Sequence, residues 1–187
     1  PEELLEIFKL LTWAKAALTD SEHILTAELE RALKRIAPSL RTLRHANGNL
    51  VRFQGGDQGM EGMLDTALAA CGIKSRNSDH LTMGYARLSA GRTSVIIDAG
   101  PPATGNASYN AHASTLAFEL TSGRRPLIVS CGSGAHLGPD WHRAGRATPS
   151  HSTLCLGGYS SARLGKPVKT SGVYRELLVE APKIVPV

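Results

Sequence analysis

The run Asn110-Ala111-His112-Ala113-Ser114-Thr115-Leu116-Ala117-Phe118-Glu119-Leu120 decides the fold of this chain, together with Pro126-Leu127-Ile128-Val129-Ser130-Cys131-Gly132 and Thr148-Pro149-Ser150-His151-Ser152-Thr153-Leu154. Leu116, Phe118 and Leu120 alternate with smaller or polar residues, the period-two signature of a half-buried strand. Leu127-Ile128-Val129 is a short apolar run suited to pair with it. His112, Cys131 and His151 then fall at the ends of three strand-like runs. Ser122-Gly123 reads as the hairpin turn. A two-residue loop there sets Thr121 against Arg124 and His112 opposite Ser133, with Cys131 on the face of His112. A three-residue loop exchanges Cys131 for Ser130, and both registers stay open.

Imidazole and thiolate suit zinc, a borderline-soft ion that takes nitrogen and sulfur in a tetrahedral shell, so His112, Cys131 and His151 are candidate metal ligands. Their spacing matches no compact finger signature. Two histidines and a cysteine packed into a sandwich core account for the same residues.

Working outward, 187 residues with 42% hydrophobic and 20% charged side chains suffice for one good core or two small ones. No apolar run is long enough to span a bilayer, and Pro1-Glu2-Glu3 is unlike the basic start of a signal peptide. On sequence the chain is cytosolic, or its export signal lies elsewhere. The net charge of +5 favours an anionic partner, nucleic acid or acidic polysaccharide. Aromatics are only 5%, and no aromatic-studded strand of the base-stacking kind is visible, which ranks nucleic acid lower. Cys71, Cys131 and Cys155 form no disulfide framework. Cys71 reads as a small core residue at a helix end, and Cys155 as one in a strand.

Upstream, residues 2–18 are apolar almost all round, which predicts a helix buried between layers. A second helix is predicted from about Thr26 to Ala37, closed by Pro38. The polar turn and glycine-rich loop from Arg41 to Asp57 follow no phosphate-loop or dinucleotide pattern. Arg44, His45 and Asn47 are candidate sugar-binding residues there, with a plain turn at Asn47-Gly48 as the alternative. Met60, Met63, Leu64, Ala67, Leu68 and Cys71 form a third helical stripe stopped by Gly72. Residues 74–80 read as a linker. Tyr85-Ala86-Arg87-Leu88 and Thr93-Ser94-Val95-Ile96-Ile97-Asp98 read as a hairpin turning near Ala90-Gly91. The loop from Ser133 to Pro149 carries a second His/Asp group, His136, Asp140 and His142, and residues 151–156 read as a strand. The fold class is α+β: a helical segment over residues 1–80, then an antiparallel β-sandwich over 81–187.

Five segments in succession, residues 41–48, 84–93, 111–120, 128–132 and 146–154, resemble the bacterial heparinase II/III-like proteins. The resemblance implies the end of an (α/α) toroid followed by the start of a β-sandwich cut short at residue 187. It implies a polysaccharide lyase cleaving next to uronic acids in acidic polysaccharide, heparin-like or alginate-like, in the periplasm or cell envelope. By the same resemblance the family's catalytic tyrosine precedes Pro1, so the fragment alone is expected to be inactive. The family's His-Ala-His maps onto Asn110-Ala111-His112. Asn110 thus stands where some members have a catalytic histidine, and His112 and His151 fall on ligands of a structural zinc. The family's zinc-binding aspartate falls at Ser130, beside Cys131. A non-catalytic glycan-binding or scaffolding module is the alternative, and a metal-dependent hydrolase a third reading.

Overall fold

The computed structural model describes residues 1–74, 81–170 and 172–180. The expected linker at 74–80 lies almost wholly outside the described residues. Three helices precede two antiparallel sheets: α1 (Glu2–Asp20), α2 (Ala27–Thr42) and α3 (Met63–Cys71), then β1 (Tyr85–Ala90), β2 (Thr93–Asp98), β3 (Phe118–Ser122) and β4 (Arg125–Ile128). After these come a short helix α4 (Pro139–Gly145) and the hairpin β5 (Ala162–Thr170) and β6 (Val173–Glu180). The first sheet runs in the order β1-β2-β3-β4, and β5-β6 pair separately. The fold is therefore mixed, with antiparallel sheets as expected, while these helices do not by themselves make a toroid.

One core joins the helices to the first sheet. Leu5 and Phe8 of α1, Leu33, Ala37 and Leu40 of α2, and Leu64 and Leu68 of α3 pack with Leu50, Val51, Phe53 and Ile96. Phe53 stacks on Tyr85 at 5.8 Å. A smaller core of Ala111, Ala113, Ala162 and Leu178 seats the β5–β6 hairpin on the segment before β3.

Four local expectations are corrected. Helix α1 buries one face only: Ile7, Leu10 and Trp13 are 51%, 60% and 63% exposed. Pro38 sits inside α2, which continues to Thr42. Burial of Leu40 and Leu43 outweighs the hydrogen bond that proline removes. The loop from Ser133 to Pro149 folds into two short 3-10 turns and α4. Residues 151–156 form no strand, with bends at 151–153 and an isolated bridge from Leu156 to Tyr159, and Cys155 is exposed; Cys71 is buried at the end of α3, as expected.

The strand expected from Asn110 begins only at Phe118. Leu116 adopts φ +61°, in the left-handed region, and its N–H donates to the Asp98 carbonyl at 2.7 Å. Side chains take up the preceding carbonyls in place of a ladder: Arg146 binds that of Ala111, and Thr148 that of Ala113. The alternation is real but inverted. Glu119 and Thr121 face the core while Phe118 and Leu120 face the other way, half-buried. The turn also differs from both expected registers. Ser122 pairs with Arg125, and a bulge follows between Leu120 and Thr121.

Candidate functional site

Ser130 is therefore the residue that meets His151. It is 1% exposed, and its Oγ lies 3.0 Å from His151 Nδ1. Its own N–H donates to Glu119 Oε1 at 3.2 Å, which locks it to β3. His112 is fully buried, its ring centre 5.2 Å from that of His151. Both ring nitrogens of His112 and Nε2 of His151 are buried without hydrogen-bond partners. Burial, together with the nearby His151, Arg146 and His142, pushes His112 down to about 3. Burial also lowers His151; the Gly145 carbonyl opposes that without forming a hydrogen bond to Nε2.

The expected third ligand, Cys131, does not complete a metal centre. It is an exposed residue with its thiol 3.4 Å from the Gly132 carbonyl and 4.0 Å from that of Gly145. Partial burial pushes the thiol pKa up, away from the thiolate that binds zinc. Among the described residues no three His, Cys, Asp or Glu side chains are grouped to hold a metal ion. His136, Asp140 and His142 do not form such a group either. The donors present, two imidazoles and a neutral hydroxyl, lack the thiolate or carboxylate that a structural zinc takes beside histidines, so they do not fit the ion.

Arg44, His45 and Asn47 are engaged within the protein. Arg44 grips Asp65 through Nε and Nη2 at 2.6 and 2.7 Å, holding the carboxyl below its ordinary pKa. His45 is 3% exposed and contacts Glu119, so it offers no surface to a sugar. The Asn47 side chain accepts from the Asn49 N–H at 3.1 Å, closing the turn. This loop is polar because it joins the helices to the sheet.

Asn110 does face a cleft. A cavity of about 490 Å³ is lined by Tyr109, Asn110, Pro139, Asp140, His142, Arg143, Arg146, Tyr174, Arg175 and Glu176. Asn110 Nδ2 and the Tyr109 hydroxyl both donate to Glu3 Oε1 at 2.8 Å, and that carboxylate raises the tyrosine pKa. The Arg175 guanidinium lies over the Tyr109 ring, 4.2 Å from its centre. Arg143 pairs with Glu176 at 2.5 Å. Arg146, 4% exposed, shapes the wall by donating to the carbonyls of Ser108, Ala111 and Glu176, each at 2.9 Å. Gly55 lets Asn110 approach: it has φ +76°, and a Cβ there would strike the Asn110 carbonyl.

The sequence marks Asn110, His112 and His151 as candidates; Tyr109, Tyr174 and Arg175, which line the cleft with Asn110, it does not mark. Tyr109 lay in a small polar loop and the other two in an alternating tail, with no motif to mark them.

The family model for the heparinase II/III-like C-terminal domain matches residues 74–179. FtsZ-localized protein C of Caulobacter vibrioides (strain NA1000 / CB15N) is 33% identical over 142 residues, 72% of this chain and 23% of that protein. The crystal structure of heparinase III superposes with a TM-score of 0.62 at 15% identity, over 89% of this chain and 33% of that one, a likeness of fold. The chain thus spans a third or less of the length of these two relatives. On the match to its family model, the chain belongs to the heparinase II/III-like family.

Proposed function

We propose that this chain forms the substrate-facing part of a polysaccharide lyase-like protein whose ligand is an acidic polysaccharide. The parent reaction is β-elimination next to a uronic acid, in the periplasm or cell envelope. The cleft at Asn110 carries this reading. It brings Tyr109 and Tyr174 together with Arg175, a guanidinium that lies over the Tyr109 ring and has no carboxylate partner among the described residues. Sugar rings pack on aromatic faces, and a guanidinium pairs well with a uronate or sulfate.

Elimination needs the uronate neutralised so that its C5 proton becomes acidic, a base to remove that proton, and an acid for the leaving oxygen. Arg175 supplies the first. The Asn110 amide can hydrogen-bond a carboxylate but cannot accept the proton. The raised pKa of Tyr109 suits a hydrogen-bond donor better than a base. By the family resemblance the base is a tyrosine outside this chain, which alone should bind without turnover.

Asn110 also favours a second reading, a non-catalytic glycan-binding or scaffolding module, as does a relative named for its localisation with FtsZ. The test is to incubate the full-length protein with heparin, heparan sulfate and alginate. Unsaturated, ultraviolet-absorbing sugar ends support the lyase. Binding without such ends supports the module, and absence of both overturns the polysaccharide assignment.

A further inference from the structure

Two features of the His112–His151 pair point in opposite directions. The ring centres, 5.2 Å apart, have about the spacing of two imidazoles sharing one ion through bonds of about 2 Å. Three of their four ring nitrogens are buried and unpartnered. Geometry at the histidines is thus no obstacle to a metal. The donor set is. The fourth nitrogen, His151 Nδ1, is taken by Ser130 Oγ, and Ser130 is in turn anchored through its N–H to Glu119. A neutral hydroxyl in that position orients the ring and adds no charge to a site that must compensate a dication. Cys131 lies one residue on, its thiol against backbone carbonyls.

We infer that this chain does not hold the zinc its family resemblance implies, and that Ser130 is the single side chain that decides it. His112 and His151 serve instead as a buried, packed pair of rings. Substituting aspartate extends the side chain by one carbon from a hydroxyl already 3.0 Å from the His151 ring, and supplies the missing anionic oxygen. Ser130→Asp should therefore create a zinc site from residues already in place.

The test compares purified wild-type protein, Ser130→Asp and Ser130→Asp/His112→Ala, each equilibrated with zinc and then dialysed. Metal content and melting temperature are read for each. The wild type should retain under about a tenth of a zinc per chain and Ser130→Asp about one, the ratio a single tetrahedral site requires. Zinc should raise the melting temperature of Ser130→Asp alone, because binding energy is then folding energy. Loss of both effects in the double variant would tie them to His112. One zinc per wild-type chain, or a folded Ser130→Asp that binds no more than wild type, would overturn the inference. Should Ser130→Asp not fold, cobalt titration of the wild type decides. No tetrahedral cobalt spectrum upholds the inference, and a stoichiometric one refutes it.

Discussion

His45 Nε2 lies 2.7 Å from Glu119 Oε2, joining the turn after α2 to β3 across 74 positions of sequence, and the two residues are 3% and 1% exposed. The other carboxylate oxygen accepts the N–H groups of Arg52 and Ser130 at 2.8 and 3.2 Å. One buried side chain thus links the helical part, the sheet and the histidine pair. Beside it, Gln54 bridges the same parts by donating to Asp98 at 2.6 Å and accepting from the His112 N–H at 3.0 Å.

Removing Glu119 should unfix all three parts together. Glu119→Ala removes the acceptor of His45 Nε2 and of the Arg52 and Ser130 N–H groups and should cost about 3 kcal/mol or more, at about 1–3 kcal/mol for each buried polar group left unpaired. His45→Ala should cost less, since Glu119 keeps its two backbone donors. Urea denaturation measures both; an unchanged midpoint in Glu119→Ala would refute the linking role.

Arg146 acts through the shape of its fork. Arg146→Lys keeps the charge but cannot reach three carbonyls from one plane, and should cost roughly 2 kcal/mol or more. A lysine variant as stable as wild type would show that the three hydrogen bonds do not matter. Thermal unfolding separates the cases.

Gly55 and Gly62 share φ +76°, yet a Cβ at Gly55 meets the Asn110 carbonyl while at Gly62 it meets open space. Alanine at Gly62 should cost about 1 kcal/mol, the conformational part alone. At Gly55 the steric part is added, so the melting temperature should fall further. Equal losses at the two sites would contradict the close approach.

Asp98 gives a pH dependence of definite sign. Burial raises its carboxyl above the ordinary value, against hydrogen bonds from Ser114, Gln54 and the Gly100 N–H. The native state therefore holds that proton more tightly than the unfolded chain. Its contribution is fully present below the unfolded pKa of about 3.9 and is lost as pH rises through the higher folded value. Relative to wild type, Asp98→Asn should gain stability across that window, by about 1.4 kcal/mol per unit of pKa difference. Urea midpoints at pH steps from acid to neutral follow it, and a constant difference would contradict the assignment.

Much of this fold was legible where periodicity and chain breakers agree. The α3 stripe from Met63 and its Gly72 stop stand as read, though Met60 lies before the helix and is 72% exposed, and the β1–β2 hairpin stands with Ala90 opposite Thr93. The misses arose where tertiary packing overrode a local signal. Pro38 did not end α2 because Leu40 and Leu43 had a core to enter. The alternation around Leu116 to Leu120 gave the period of β3 but not its inward face, because buried Glu119 and Thr121 have partners 74 and 27 residues away. The same blindness to distant partners hid the Arg44–Asp65 and His45–Glu119 contacts. The choice between Ser130 and Cys131 turned on a one-residue bulge, which no composition rule encodes.

The most direct test of the cleft is calorimetric titration of the protein with size-defined heparin and alginate oligosaccharides, wild type against Arg175→Ala. Among the described residues the Arg175 side chain makes no hydrogen bond and only covers the Tyr109 ring, so the variant should fold normally and lose about tenfold or more in affinity, the value of one charge-assisted contact. The loss should shrink as salt is raised. Equal affinity in the two proteins, or no binding by the wild type at low salt, would contradict the assignment of an acidic polysaccharide to this cleft.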